Sequence, residues 1–267
     1  MKQISILGCG WLGLPLAKSL LQKGFSVNGS TTSTEKILVL KNSGISSFEI
    51  ILEGKTISGN IQVFLKGSET LIIDIPPKLR GNSKENFIEK METLIPYIEN
   101  STIKNVLFVS STSVYAEDNS LVTEDTKPQP ESEGGRQLLA VEQILLGNSH
   151  FKTTTLRFGG LIGEDRNPVR FLAGRKNIES PKAFINLIHQ EDCIGIILKI
   201  LAKESWNETY NAAAPFHPSR EDYYTQKAVE LNLVAPEFNY EMPTFGKIIL
   251  SNKVENSLEY TFKKPNL

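Results

Sequence analysis

The chain has 267 residues, with 29 Lys and Arg against 30 Asp and Glu and a formal net charge of −1. Balanced charge argues against a nucleic-acid or polyanion binder, which would carry a basic excess, and no apolar run approaches the roughly 20 residues that span a bilayer. Two cysteines (Cys9 and Cys193) and three histidines form neither a disulfide framework nor a metal-ligand spacing, so no metal is expected. The N-terminus enters a strand without the basic flank and small-residue cleavage site of a signal peptide, and free thiols suit a reducing compartment; a cytoplasmic protein is the expectation.

In chain order, "QISIL" (3–7) reads as a short apolar strand, followed by "GCGWLG" and a helix carrying Leu12, Leu16, Ala17, Leu20 and Leu21 up to Gly24. "FSVNGST" (25–31) is a second strand, residues 34–43 a helix, "SSFEIIL" (46–52) a third strand and "ETLIIDI" (69–75) a fourth, stopped by Pro76 and Pro77. Residues 84–99 place Phe87, Met91, Leu94, Ile95 and Ile98 on one helical face. "NVLFVSSTSVY" (105–115) starts as a buried strand and ends in the hydroxyls of Ser110, Ser111, Thr112, Ser113 and Tyr115. Helix 136–146 and strand "TTTLRF" (153–158) complete the alternation. Strands alternating with helices, most of them continuous apolar runs, imply an α/β doubly wound parallel sheet covered on both faces. After residue 160 the pattern loosens. "AFINLIH" (183–189) reads as a further strand, Ile194, Ile197, Leu198 and Leu201 mark a helix, and Ser219 with Asp222 resembles a capping box. Residues 1–160 are expected to form a Rossmann domain and 161–267 a smaller lobe partly woven into it.

Gly8, Gly10 and Gly13 form G-x-G-x-x-G between the first strand and the first helix, the setting in which this pattern is specific for a dinucleotide. Gly8 permits the tight turn, Gly10 lets backbone approach a pyrophosphate, and Gly13 lets the helix pack on the strand. The helix start, with Trp11 and Leu12, offers N–H groups to the phosphates. An NAD site usually carries an acid at the end of the second strand, whose carboxylate binds the ribose hydroxyls. Residues 25–34 hold none; Thr31, Thr32 and Ser33 stand there, with Lys36 just beyond. Hydroxyls and one cation suit a 2′-phosphate better than a ribose diol, so NADP is expected ahead of NAD. The same residues would equally serve to cap the following helix. Pro76, at the end of the fourth strand, and Ser110, near the tip of the fifth, are placed with the cofactor.

Glycine loop, hydroxyl-tipped strand and tail together resemble the extended short-chain dehydrogenase/reductases, the NAD-dependent epimerase/dehydratase group. "SSTSVY" (110–115) resembles that family's S-S-x-x-V-Y, "LRFGGLIGEDRNP" its L-R-x-x-x-x-x-G-x-x-R-N-P, and "NLIHQEDC" (186–193) its N-x-I-H-x-x-D. G-x-G-x-x-G in place of the family's usual G-x-x-G-x-x-G marks an atypical branch. The resemblance implies that Ser111 bonds the substrate's reacting oxygen. It also implies a Tyr-x-x-x-Lys pair on the next helix, the cation lowering a phenol pKa that is otherwise about 10. Laid on the family pattern with Glu142 fixed, "SEGGRQLLAVEQIL" (132–145) puts Gly134 at the tyrosine and Leu138 at the lysine. Both groups are replaced.

Tyr115 is then a substitute catalyst or a packing residue of the turn. Thr112 takes a position that is acidic in the dehydratases. Arg166, Arg170 and Arg175 follow the sixth strand, where the family often binds the phosphates of a nucleotide sugar; solvated surface arginines are the plainer account. His189 and Asp192 are expected to cap a helix. Two functions stay open: an oxidoreductase or epimerase-like enzyme on a small substrate, a sugar nucleotide among the candidates, and a catalytically degenerate dinucleotide sensor. Helices 84–99 and 136–146 match those that pair family members into dimers, so a homodimer is also an expectation.

Overall fold

The computed structural model describes residues 2–77 and 85–266. Its centre is a parallel sheet of seven strands: β1 (Gln3–Leu7), β2 (Ser26–Thr31), β3 (Ser46–Glu49), β4 (Thr70–Ile73), β5 (Asn105–Ser111), β6 (Lys152–Phe158) and β7 (Thr209–Ala212). They lie in the order β7-β6-β5-β4-β1-β2-β3, every neighbouring pair parallel. The chain winds outward in both directions from β1 and β4, and the crevice beyond the carboxyl ends of these two strands is where such sheets take ligands.

Alternation along the strands explains why both faces are apolar. Ile4, Ile6, Ile72, Leu107 and Leu156 face one layer, where helices α1 (Gly13–Gln22), α7 (Gln190–Lys203) and α9 (Asn252–Leu258) bring Leu16, Leu20, Ile196, Ile200 and Val254. Leu71, Ile73, Val106 and Phe108 face the other, covered by α3 (Ile61–Leu65), α4 (Phe87–Glu99) and α5 (Glu133–Leu146) through Phe64, Phe87, Met91, Leu94, Leu138, Val141 and Leu145. Each such side chain contributes about 1.5–3 kcal/mol on burial. The lobe of residues 161–267 is tied into this core: β7 closes one edge of the sheet, and α7 and α9 supply half of one layer.

Several boundaries differ from the sequence reading. The third strand leaves the sheet after Glu49, and Ile51–Glu53 turns into a hairpin with Thr56–Ser58 through Gly54, whose φ is 51°. The helix expected at 136–146 begins at Glu133, because Ser132 accepts a bond from the Gly135 N–H at 3.1 Å and so starts it one turn earlier. The helix expected from residue 84 begins at Phe87, where Asn86 accepts from the Glu89 N–H; Lys84 lies outside the described residues. Of "AFINLIH", Leu187–His189 is extended, paired in parallel with Gly160–Ile162. Ser219 does open a helix, α8 (Arg220–Glu230), accepting from the Asp222 N–H. His189 caps α7 by accepting from the Glu191 N–H. Asp192 does not cap it. That side chain is buried, and accepts from the Tyr260 hydroxyl and the Lys263 and Lys264 amides, which pins the C-terminal tail.

Candidate cofactor and active site

The glycine loop joins β1 to α1 at the crevice. A Cβ on Gly13 would lie 2.1 Å from the Gly8 carbonyl oxygen, so only glycine lets the helix sit this close to the loop. Gly8 has φ of 107° and its N–H donates to the Ser30 hydroxyl at 3.0 Å, while Cys9 N–H donates to the Ser30 carbonyl. Gly10 is different. A Cβ there would meet nothing within 4 Å, so the space above it is open to a ligand. Among the described residues the N–H groups of Trp11 and Leu12 meet no acceptor, which leaves two donors at the start of α1. Cys9 fills its own space against Gly29, and burial pushes its thiol up to about 12, so it stays protonated.

Beside the loop lies a cleft of about 190 Å³ lined by Gly8, Gly10, Thr31, Thr32, Lys36, Asp74 and Pro76. Six residues assigned to a cofactor from the sequence therefore meet in one place. The volume is below the roughly 300–1,000 Å³ of whole small-molecule pockets, so the cleft can enclose only part of a ligand of that size. Thr31 is buried and its hydroxyl accepts from the Ser33 N–H at 3.1 Å. Ser33 stands at the start of α2 (Thr34–Asn42) and does not line the cleft. Lys36 is exposed and, among the described residues, forms no ion pair.

Three groups near this end had no signal in the sequence pattern. Asp74 follows β4, lines the cleft and accepts from the Gly13 N–H; burial raises its carboxyl to about 8. Lys90 lines the cleft with Glu85, 2.5 Å away. Glu49, at the tip of β3, accepts from the Thr34 hydroxyl at 3.1 Å. An apolar run followed by one acid reads as a strand end, and nothing in it says which loop the acid will face.

At the other end of the groove β5 delivers its hydroxyls to different destinations. Ser111 is half-buried and accepts from the Ser113 N–H at 3.1 Å, which shapes the single helical turn Thr112–Val114. Ser110 is buried and its hydroxyl donates to Glu142 at 2.5 Å, so it is spent inside the protein rather than on a cofactor. Thr112 is buried as well. Tyr115 is 2% exposed: its hydroxyl accepts from Arg157 at 2.5 Å and donates to Asn211 at 3.0 Å, and burial raises its pKa. A phenol so held stays protonated near neutrality and is enclosed in the interior. Glu142 and Arg157 complete this network, bidentate and 2.6 Å apart at their closest, with both side chains buried.

Gly134 sits in the first turn of α5 with open space around its missing Cβ, and Leu138 is buried in the core one turn on. Residues 133–146 include neither a tyrosine nor a lysine. The three arginines separate. Arg166 stacks over the Trp11 ring at 5.1 Å, whose indole N–H donates to Asp165 at 2.7 Å while Gln190 donates to the Trp11 carbonyl. Trp11 thus packs outward on the lobe, not over the cleft, and Arg166 follows it to the glycine-loop side. Arg170 and Arg175 are exposed on and after the short helix α6 (Val169–Leu172) and line no cleft described. A second cleft, about 600 Å³, does open in the lobe, lined by Glu117, Glu131, Phe184, Arg220, Tyr224 and Phe245. Beside it Lys247 is buried, donating to Glu117 and to the Tyr115 carbonyl.

Protein YeeZ of Escherichia coli strain K12 is 33% identical over 268 residues, which cover 100% of this chain and 97% of that protein. This chain belongs to the YeeZ family. No family model matches it. Among solved structures, UDP-glucuronic acid 4-epimerase from Bacillus cereus, in complex with UDP-glucuronic acid and NAD, superposes with a TM-score of 0.82 at 19% identity, covering 99% of this chain and 94% of that one. A conserved protein of unknown function from Silicibacter pomeroyi gives 0.81 at 20%, covering 100% and 95%. The fold is that of the extended short-chain dehydrogenase/reductases of the epimerase/dehydratase type, over the whole length of the chain.

Proposed function

We propose that the protein binds a nicotinamide dinucleotide across the carboxyl ends of its strands, NADP(H) ahead of NAD(H). The open space at Gly10, flanked by two amides without acceptors and by the cleft at the β1–β4 crevice, carries this reading. The adenosine end enters the cleft, where the Thr31–Thr32 tip offers hydroxyls and Lys36 a cation for a 2′-phosphate. The phosphates meet the Trp11 and Leu12 amides. The bound B. cereus epimerase supports a dinucleotide in this fold without deciding which one. Titrating the protein with NADP(H) and NAD(H) while following tryptophan fluorescence or heat tests this. Gly10→Val should abolish binding and leave the melting temperature near wild type, because its side chain projects into ligand space; normal affinity in folded Gly10→Val sinks the proposal.

The dinucleotide supplies hydride chemistry when bound, and the chain's contribution is narrower than in its relatives. Ser111 holds the reacting oxygen of a small substrate, a sugar nucleotide being the class suggested by the structural neighbours. The proton relay of Tyr-x-x-x-Lys is absent at Gly134 and Leu138, and its loss costs typically about 10²–10⁴-fold. Turnover of ordinary family substrates is therefore slow, with the proton coming from substrate or water. Ser111→Ala should reduce any turnover and leave dinucleotide affinity unchanged; rapid hydride transfer that survives it places the active site elsewhere. The open, unfilled position at Gly134 favours a second reading, a dinucleotide sensor without catalysis. Binding without turnover of any sugar nucleotide by wild type would select it.

A further inference from the structure

The groove that should receive two phosphates contains an acid. Asp74 leaves the end of β4 directly against the glycine loop: its main-chain oxygen would lie 2.3 Å from a Cβ on Gly8, and its Oδ2 3.1 Å from one on Gly13. The carboxyl accepts from the Gly13 N–H, the donor next to the two free amides of Trp11 and Leu12. Its surroundings offer no compensating charge. On the loop and on α7 it faces the thiols of Cys9 and Cys193, both neutral, since burial pushes each thiol up. On α1 it meets the Gly13 N–H. The charged groups of the cleft are Lys36 on α2 and the Glu85–Lys90 pair beside α4, and among the described residues neither lysine forms an ion pair with Asp74. An ionised carboxylate beside a bound pyrophosphate would repel it.

Resting on the dinucleotide reading above, we propose that Asp74 takes part in binding in its acid form, donating its proton as a hydrogen bond toward the phosphates beside the Gly13 amide. Dinucleotide binding then requires a proton on Asp74 and takes one up wherever the free protein has lost it. A protonated acid at this point serves as a third donor in line with the Trp11 and Leu12 amides, and its ionised form opposes the ligand. The free carboxyl, raised by burial to about 8, is mostly protonated at neutral pH, so the effect appears on the alkaline side.

The test measures dissociation constants for NAD and NADP by calorimetry between pH 7 and 9.5, above the titration of the 2′-phosphate, in buffers of different ionisation heat. Wild type should weaken by at least about tenfold over this range and take up close to one proton per dinucleotide at the alkaline end. Asp74→Asn keeps a donor that cannot ionise, and its affinity should be flat with no proton uptake. Asp74→Ala loses the donor and should be weak at every pH. Wild-type affinity that is flat, or that declines equally in Asp74→Asn, overturns the role of Asp74 while leaving dinucleotide binding intact. Absence of binding by wild type at any pH overturns both.

Discussion

The two ends of the groove are built to opposite standards. At the glycine loop two amides stand without acceptors beside a cleft, and where backbone packs closest, at Gly8 and Gly13, no other residue fits. At α5 the helix is in place, capped by Ser132 and packed by Leu138, Val141 and Leu145, yet Gly134 in its first turn leaves open space where a Cβ would stand. Behind this helix Glu142 and Arg157 bind each other, Ser110 and Tyr115 in the interior. Together they lock α5 onto β5 and β6. The residues that hold α5 are thus interior ones, and the open position at Gly134 takes no part in that packing.

The largest effect that tests this division lies in that network. Glu142→Ala leaves a buried guanidinium without its carboxylate, and such losses cost about 3–5 kcal/mol. Urea unfolding should show it, whereas Glu142→Leu combined with Arg157→Met should recover most of the stability, since well-packed apolar pairs often replace buried ion pairs at little cost. If the single change is harmless, the network does not hold the helix. At the cleft the expected effect is smaller. Replacing Thr31, Thr32 and Lys36 by alanine should erase a preference for NADP(H) of at least tenfold, about 1.4 kcal/mol. The wild-type preference should itself shrink with added salt, because Lys36 is exposed and its charge is screened. Equal constants for the two cofactors in wild type would show that the hydroxyl tip of β2 merely starts α2.

The cofactor end was legible in sequence because its signals are local. Glycines at fixed spacing between a strand and a helix report their own backbone, and the apolar runs of β1, β4 and β5 report burial on two faces. The opposite end depends on contacts distant in sequence. Ser110 and Ser111 are adjacent hydroxyls on one strand, and nothing local distinguishes the one that turns inward to Glu142, 32 residues on, from the one that stays at the groove. Tyr115 meets Asn211 across 96 residues. Asp74 was hidden for the same reason, since its meaning comes from the loop that folds over it. Arg166, Arg170 and Arg175 read alike in sequence; the ring of Trp11 singles out the first, and that pairing bridges the glycine loop and the lobe.

The smallest effect probes the open position at Gly134. Gly134 and Gly135 are neighbours in the first turn of α5 with opposite surroundings. A Cβ on Gly135 would lie 2.3 Å from the Ser113 carbonyl oxygen and 2.9 Å from the Pro130 Cβ, so this glycine seats the helix against the turn that presents Ser111. Gly134 meets nothing within 4 Å and its φ is an ordinary helical one. Alanine is favoured over glycine within a helix by about 1 kcal/mol, and by less in a first turn, where fewer backbone bonds depend on the residue. Gly134→Ala should therefore raise stability slightly, by under about 1 kcal/mol, while Gly135→Ala lowers it by pushing the turn away from the helix. Because the Ser111 turn moves only in the second variant, any turnover should fall with Gly135→Ala and hold with Gly134→Ala. A loss of stability in Gly134→Ala would mean that the space beside the helix is filled, and that a tyrosine could not return to it.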